Sequence, residues 1–523
     1  MLSVIDYSHC YTRNLGDQMR IKKLSFSIVF IVILSLHSLL PTHAMMVYQF
    51  PLKPFKGEFN IDRNETLHRF FQRDISSSSM INNLKGVSVE GYFIDLDIGT
   101  PPQTLQVLVD TGSANFAVAT RYEPNISKFF YTNRSSTFVY VGTSIFVPYT
   151  EGEWTGYLAT DTVSLSLTPN ISATVNIACI TSSKNFFIAN AEWQGILGLA
   201  YSELSRPDSS VTTYWDSLRQ ANPELKDVFS MLLCGSSFVH SMKPLMEGSL
   251  IFGAVNESLS KSPILYTPIY KKWYYEVVLS DIRIQGTSLL LDCKEYNFDK
   301  TIVDSGTTNI RLPNKVFDAL VKSIDSHIRK NGIIDKPDKY FYTGDIQCFF
   351  DMALPLKAFP VVTFTLFESE NISFDLHLTP QHYLRLVETD ISNPLLSCVK
   401  FGFSSSTSGT VLGAVLMEAF YVVFDRNSSK IGFGQTTCPL PDPSHPLLAV
   451  TVEGPNVASN TLTKCAYMKP ESTEKSFLIL SYVMAGLSVV VILPLLLLCF
   501  FSIQKKLNRL DSDPSETQAF SKD

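Results

Sequence analysis

Two short stretches of this chain carry the same pattern. Leu108-Val109-Asp110-Thr111-Gly112-Ser113 reappears as Ile302-Val303-Asp304-Ser305-Gly306-Thr307, and both continue through one more residue to Asn115 and Asn309. In each copy an apolar run delivers an aspartate to a turn. Gly112 and Gly306 permit that turn to be tight, so that backbone N–H groups approach the carboxylates. Two carboxyl groups a few ångströms apart cannot both ionise freely, so they share a proton. The ionised member can take a proton from a held water while the protonated member donates to the carbonyl under attack. That is general acid–base catalysis without a covalent intermediate. Hydroxyls at Thr111 and Ser305 are placed to bond the opposite loop, and those at Ser113 and Thr307 to donate to the outer carboxylate oxygens. One such Asp-x-Gly alone reads most simply as a turn aspartate; two matched copies point to chemistry.

The repeat extends beyond the loops. Each is followed about 90–110 residues later by two apolar residues and glycine, Ile196-Leu197-Gly198 and Val411-Leu412-Gly413. Two related lobes, each supplying one Asp loop, would meet across a cleft. From about Gly86 to Cys438 the chain reads as β: apolar and aromatic residues alternate with polar ones and stop at Gly, Pro, Asn or Asp. Tyr92–Ile98 and Tyr274–Ile284, the latter followed by Gln285-Gly286, are good examples. One clear helix interrupts the pattern, with Phe317, Leu320, Val321 and Ile324 on one face and Asn331-Gly332 as its stop.

Composition narrows the chemistry further. The chain has 523 residues, 45% hydrophobic and 18% charged, with net charge −6 and a pI near 5.9. At roughly 100–200 residues per domain it should hold two or three units. No long basic run suggests nucleic acid. No phosphate-cradling loop, H-E-x-x-H or paired C-x-x-C is present, so neither a metal nor another cofactor is expected.

Two apolar segments set the compartment. Leu24–Leu40 follows Arg20, Lys22 and Lys23 and precedes Thr42-His43-Ala44, the layout of a secretory signal cleaved near Ala44. A start at Met19 and an uncleaved anchor stay open as alternatives. Phe477–Ile503 is uncharged and exceeds the roughly 20 residues a helix needs to cross a bilayer. Pro494 is tolerated in such a span. Lys505, Lys506 and Arg509 follow it and should stay cytoplasmic, leaving the bulk of the chain luminal or extracellular. Sequons at Asn64, Asn125, Asn133, Asn170, Asn256, Asn371 and Asn427 fit glycosylation on that side. Luminal cysteines 179, 234, 293, 348, 398, 438 and 465 lie where disulfides persist, and being seven they leave one over. Cys10 precedes the signal, and Cys499 sits near the inner membrane edge, a candidate for palmitoylation.

With these residues in view, the chain resembles the pepsin-like aspartic protease family, and most closely its membrane-anchored beta-secretase (memapsin) branch. The resembling runs are 109–118, 147–154, 193–210, 273–277, 292–297, 302–313 and 409–433, spanning about Gly86 to the apolar span. Pepsins usually carry Trp seven residues after the first catalytic Asp; here Ala117 stands there, as in the beta-secretase branch, and Trp154 looks like the substitute partner for the flap tyrosine. The resemblance implies that Val147–Trp154 is a flap closing over substrate, with Tyr149 and Thr150 near its tip. It implies an apolar substrate wall of Phe186, Phe187, Ile188 and Trp193. It places Arg311 where the family pairs an arginine with acidic or polar substrate side chains. It also implies three bridges, Cys234 with Cys438, Cys293 with Cys465 and Cys348 with Cys398, leaving Cys179 as a buried thiol. Sequence alone would allow 15 pairings of six cysteines.

The expected architecture is an all-β, bilobed pepsin-like fold with pseudo-two-fold lobes and one C-terminal transmembrane helix. The expected division is residues 1–44 extension and signal, 45–83 prosegment, 84–260 first lobe, 261–450 second lobe, 451–476 lobe edge and stalk, 477–503 span and 504–523 cytoplasmic tail. Between Met45 and about Asn83 only Arg69 and Arg73 approach a basic pair, which is not the usual processing site, and the tail lacks the branch's adjacent leucines. The expected activity is a membrane-anchored aspartic endopeptidase with a mildly acid optimum, acting on extended peptides and on ectodomains of membrane proteins. Three rivals stand beside it. A digestive protease of the cathepsin D type conflicts with Ala117, Trp154 and the span. An inactive relative serving as a receptor would not need both Asp loops and the flap tyrosine. A glycosidase, which also uses two carboxylates, would not need duplicated hydroxyl–glycine loops.

Overall fold

The computed structural model describes residues 48–51, 53–54, 91–149, 152–166, 168–187, 193–235, 248–329, 332–387, 396–438, 449–468 and 473–510. Those residues fold mostly into β-sheets. The strand Tyr92–Ile98 alternates in the way its sequence does: Asp95 and Asp97 lie half-buried while Leu96 and Ile98 are fully buried. Side chains of successive strand residues point to opposite faces, so this pattern needs one packed face and one wetter one. Val228–Leu233 and Gly248–Phe252 are buried throughout and read as continuous apolar runs because both faces are covered.

An eight-stranded sheet contains Gln103–Asp110, which ends on Asp110, together with the hairpin Val139–Pro148 and Glu153–Leu165. A six-stranded sheet contains Thr301–Val303, which leads into Asp304, with Thr410–Leu412 and Ile310–Pro313. A third sheet, also six-stranded, joins the two halves of the chain. It pairs Val228–Leu233 and Gly248–Phe252 with Phe420–Asp425 and Lys430–Gln435. The ring of Trp215 stacks on Phe252 at 4.9 Å and meets Phe229 edge-on at 5.8 Å beneath this sheet. Burying such a side chain is worth roughly 1.5–3 kcal/mol apiece.

Several elements differ from the sequence expectation. Tyr274–Ile284 is not one strand. Tyr275–Glu276 pairs toward Ile302, whereas Leu279–Ile284 pairs with Val362–Phe367 in another sheet. Continuous apolarity cannot reveal the point where a chain changes sheets. Gln285 and Gly286, with φ of 50° and 79°, close the hairpin that follows. The expected helix runs Asn314–Ile328 and buries Phe317, Leu320, Val321 and Ile324. A second helix, Tyr214–Ala221, was not read from the sequence; its cap is Thr213, whose hydroxyl accepts from Asp216 N at 3.2 Å.

At the N-terminal side, Tyr48–Pro51 adds an outer strand to the joining sheet and Lys53–Pro54 pairs with Tyr92 and Phe93. At the other end, Thr451–Val457 pairs with Ile372–Leu378, and helix Leu462–Cys465 is bridged to Cys293. The chain is thus packed on the second half as far as these residues. Disulfides join Cys234 to Cys438, Cys293 to Cys465 and Cys348 to Cys398, and Cys179 is buried and free. A 38-residue helix, Thr473–Leu510, contains Pro494 and an apolar stretch, Leu480–Lys505, whose most apolar 18 residues have mean hydropathy 2.8 and are not buried. A free apolar helix of that length together with three disulfides indicates a membrane-anchored protein of the secretory pathway. The signal segment, Asn64, Arg69, Arg73 and the tail beyond residue 510 lie outside the described residues.

Candidate active site

Asp110 ends its strand beside Gly195–Gly198, which runs parallel to it, with Asp110 opposite Gly198. Gly195–Gly198 also pairs antiparallel with Phe116–Ala119. The second half repeats the arrangement. Thr301–Val303 runs parallel to Thr410–Leu412, which meets Ile310–Pro313 antiparallel. The apolar-apolar-glycine runs noticed in the sequence are therefore the strands that flank each Asp loop. Each Asp is held at a strand end by backbone hydrogen bonds, and its carboxyl group projects beyond the sheet.

The loops interlock. Thr111 Oγ1 donates to Val303 O at 3.0 Å and accepts from Ser305 N at 2.9 Å. Ser305 Oγ donates to Val109 O at 2.8 Å and accepts from Thr111 N at 3.1 Å. Both hydroxyl residues are buried, so each lost bond would strand a polar group away from water. Gly112 N donates to Asp110 Oδ1 at 2.7 Å and Gly306 N to Asp304 Oδ1 at 2.8 Å. A side chain at either glycine would collide with the other loop: a Cβ on Gly112 would meet the Asp304 carboxyl, and one on Gly306 the Asp110 carboxyl. The glycines are required by this close approach, which the spacing alone did not reveal.

Asp110 and Asp304 are 4% and 8% exposed and lie within reach of a shared hydrogen bond. Burial, and then the charge of Asp304, push the Asp110 carboxyl well above the usual carboxylate range. Thr307 Oγ1 donates to Asp304 Oδ2 at 2.8 Å. Ser113 Oγ lies close to Asp110 and to the Tyr149 hydroxyl but completes a well-formed hydrogen bond with neither.

A hairpin overhangs the pair. Val147 faces Trp154 and Pro148 faces Glu153 across it, and Tyr149 N donates to Gly152 O at 2.9 Å. Gly152 has φ +89° and packs against the backbone of Asn185 and Phe186, leaving no space for a side chain. The fully buried Trp154 donates from Nε1 to the Tyr149 hydroxyl at 3.4 Å. Tyr149 is half-buried as a whole, yet its hydroxyl end is deep: burial, followed by the Asp110 charge, raises its pKa. Its ring stacks on Phe186 at 5.5 Å, and Phe186 meets Phe187 and Trp193 edge-on at 4.9 and 5.4 Å. These aromatic side chains form one cluster with Ala117 and Ile196. Arg311 is half-buried opposite Val411. Thr150 and Ile188 fall outside the described residues.

Tyr274 also belongs to this neighbourhood: burial, then the charges of Asp304 and Asp110, raise its pKa. It sits in the run 273–277 that carried the resemblance, but nothing in its own spacing marked it as facing the pair.

Residues 91–436 match the eukaryotic aspartyl protease family model. The chain is 38% identical over 492 residues to a beta-secretase from Strongylocentrotus purpuratus, a match covering 88% of each protein. It is 27% identical to a gastricsin from Cavia porcellus, over 65% of this chain and 79% of that one. It is 26% identical to pepsin II-1 from Oryctolagus cuniculus, over 70% and 86% respectively. The chain belongs to the pepsin-like eukaryotic aspartyl protease family, in its beta-secretase-like branch, and is an aspartic endopeptidase.

Proposed function

We propose that Asp110 and Asp304 hold and activate the water with which this protease cleaves peptide bonds. The observation that carries the reading is the reciprocal packing of the two loops, each glycine seated against the opposite carboxyl group. Two aspartates sharing one proton are the standard arrangement of aspartic proteases. The ionised carboxylate takes the water's proton, the protonated one donates to the substrate carbonyl, and the pair works over mildly acid pH because it needs one proton. Tyr149, together with Thr150, covers the bound peptide and excludes water. Phe186, Phe187, Ile188 and Trp193 receive an apolar side chain next to the scissile bond, and Arg311 meets an acidic or polar one.

The substrates are extended segments of other membrane proteins. The apolar helix crosses the bilayer once with the catalytic part luminal or extracellular, after removal of a signal near Ala44 and of a prosegment within 45–83. Asn125, Asn133, Asn170, Asn371 and Asn427 are exposed and Asn256 is half-buried, so glycans are accommodated at the first five without unfolding. Full-length protein in detergent should cleave a quenched peptide library between about pH 3 and 8 with an acid optimum. Asp110→Asn and Asp304→Asn should each lower kcat by about 10²–10⁴-fold. Cleavage surviving either substitution would sink the assignment.

A further inference from the structure

The catalytic body meets its own apolar helix at a compact knot. Helices Cys293–Tyr296 and Leu462–Cys465 are joined by the Cys293–Cys465 bridge. Just beyond it, the Tyr467 ring packs on Phe298 at 5.5 Å, and its carbonyl accepts from Lys271 Nζ at 3.4 Å. The Tyr270 hydroxyl donates to Met468 Sδ at 3.5 Å. The chain is therefore tied down through Met468, and the long helix starts at Thr473. Covalent geometry limits the reach from Met468 to Thr473 to about 18 Å. The helical rise from there to Leu480 adds about 10 Å. The tether keeps the body within about 28 Å of the apolar stretch, close enough for a face of it to rest on the headgroups.

The exposed side chains around this exit are those of an interfacial surface. Leu290, Phe298 and Met468 are 87%, 47% and 73% exposed. Leu290 precedes the bridged Cys293 by three residues and is held at φ 57°, in a left-handed conformation costly for a branched apolar residue, with its N–H bonded to Ser288 Oγ at 3.0 Å. Such a residue pointing into water adds nothing to folding. Lys294 and Lys464 stand on the two helices that the bridge joins, exposed and without a carboxylate partner among the described residues. The nearby acids are held by other groups: Glu276 by Trp273 and Lys271, Glu295 by Lys315, Asp299 by Lys300, Asp281 by Ser288 and Tyr296, Glu370 by Thr463, and Asp292 as the cap of its helix. Exposed apolar and aromatic tips accompanied by lysines are the composition of a segment lying at the membrane–water boundary.

We propose that this face docks on the bilayer crossed by the chain's own helix, with Leu290, Phe298 and Met468 in the interface and the lysines at lipid phosphates. The inference rests on the membrane-anchored protease reading. It also connects to the cleft. Lys300, two residues past Phe298, lies with its ammonium 5.6 Å from the ring of Tyr274, whose pKa the charges of the acid pair help to raise. Docking therefore fixes the height of the cleft and selects peptide bonds held close to the bilayer.

The test uses the full chain in phosphatidylcholine nanodiscs. In Phe298→Trp the added tryptophan should be quenched by lipids brominated on the acyl chains. In Tyr122→Trp, at an exposed site in the first half of the chain, it should not. Equal quenching at both sites, or none at 298, overturns the docking face. A combined Leu290→Asp, Phe298→Asp, Met468→Asp variant should cleave a short soluble peptide at the wild-type rate. On a reporter anchored in the same disc it should be about tenfold slower, or about 1.4 kcal/mol. Loss of both activities alike, or of neither, also overturns it. Wild-type chain washed from membranes by alkaline carbonate would remove the anchor and the docking face together, whereas an inert acid pair with normal quenching would fail the protease reading alone.

Discussion

The two Asp loops are copies in backbone and unlike in detail. In the second loop Thr307 donates to Asp304 Oδ2, so this carboxylate accepts two well-formed bonds, from Gly306 N and Thr307 Oγ1. In the first loop Gly112 N is the well-formed donor to Asp110, and the hydroxyl of Ser113 is left without a completed bond under the hairpin. Burial and the charge of Asp304 push the Asp110 carboxyl upward. The titration belongs to the pair, but the environment favours the shared proton on Asp110. A symmetric scaffold thus holds an asymmetric acid pair, and a sequence repeat of Ser and Thr at matching positions does not announce this.

The glycines offer the largest effect. Gly306→Ala and Gly112→Ala each place a Cβ against the opposite carboxyl. A displacement of about 1 Å between reacting groups can cost about 100-fold in rate, and both variants should lose at least that much kcat. A normal rate in either would mean that the loops separate freely and that the comparison starts from the wrong geometry.

The hydroxyls come next and separate the loops. Thr307→Val removes a hydrogen bond to the Asp304 carboxylate. Losing a donor to the ionised form raises a carboxyl pKa, so the acid limb of the kcat/KM profile should move to higher pH. Its rate should fall about tenfold, the equivalent of about 1.4 kcal/mol in the barrier. Ser113→Ala removes no completed bond and should leave the acid limb within a few tenths of a unit. If both substitutions shifted the limb equally, Ser113 would be bonding Asp110 in solution as Thr307 bonds Asp304.

Much of this was legible because the site is built from local sequence. Asp-Thr-Gly and Asp-Ser-Gly follow apolar strands, and the later Ile196-Leu197-Gly198 and Val411-Leu412-Gly413 pair beside them. Alternation along Tyr92–Ile98 and the helical spacing from Phe317 to Ile324 depend only on near neighbours. What was not legible depends on distant partners. The break at Val277 exists because Val277 N bonds Thr301 O while Leu279 pairs with Leu366. Helix Tyr214–Ala221 mixes aromatic and polar residues, and its place is settled by Trp215 packing on Phe252. Tyr274 comes under the influence of the acid pair's charges through the fold rather than through a motif. The attachment of Tyr467 to Phe298, within the residues expected as lobe edge and stalk, likewise depends on a distant partner.

The smallest effect reads the asymmetry through stability. The native state holds a proton on Asp110 above the ordinary value of 3.8. A carboxyl pKa raised by folding contributes stability that is present below the unfolded value and lost as pH rises through the folded one. As pH rises through the folded value the wild type therefore acquires a buried charge that Asp110→Asn does not. The Asn variant should melt higher than wild type at pH 7, with the gain shrinking toward pH 4. A change of about 1 kcal/mol would move the Tm of a chain this size by no more than about 2–4 °C. Differential scanning calorimetry at both pH values measures it. Because Asp304 accepts from Thr307 as well as Gly306, replacing it by Asn disturbs a bonded carboxylate and should bring a smaller gain. Equal pH-dependent gains in the two variants would show that the loops treat their carboxyl groups alike, and the favoured position of the proton on Asp110 would have to be abandoned.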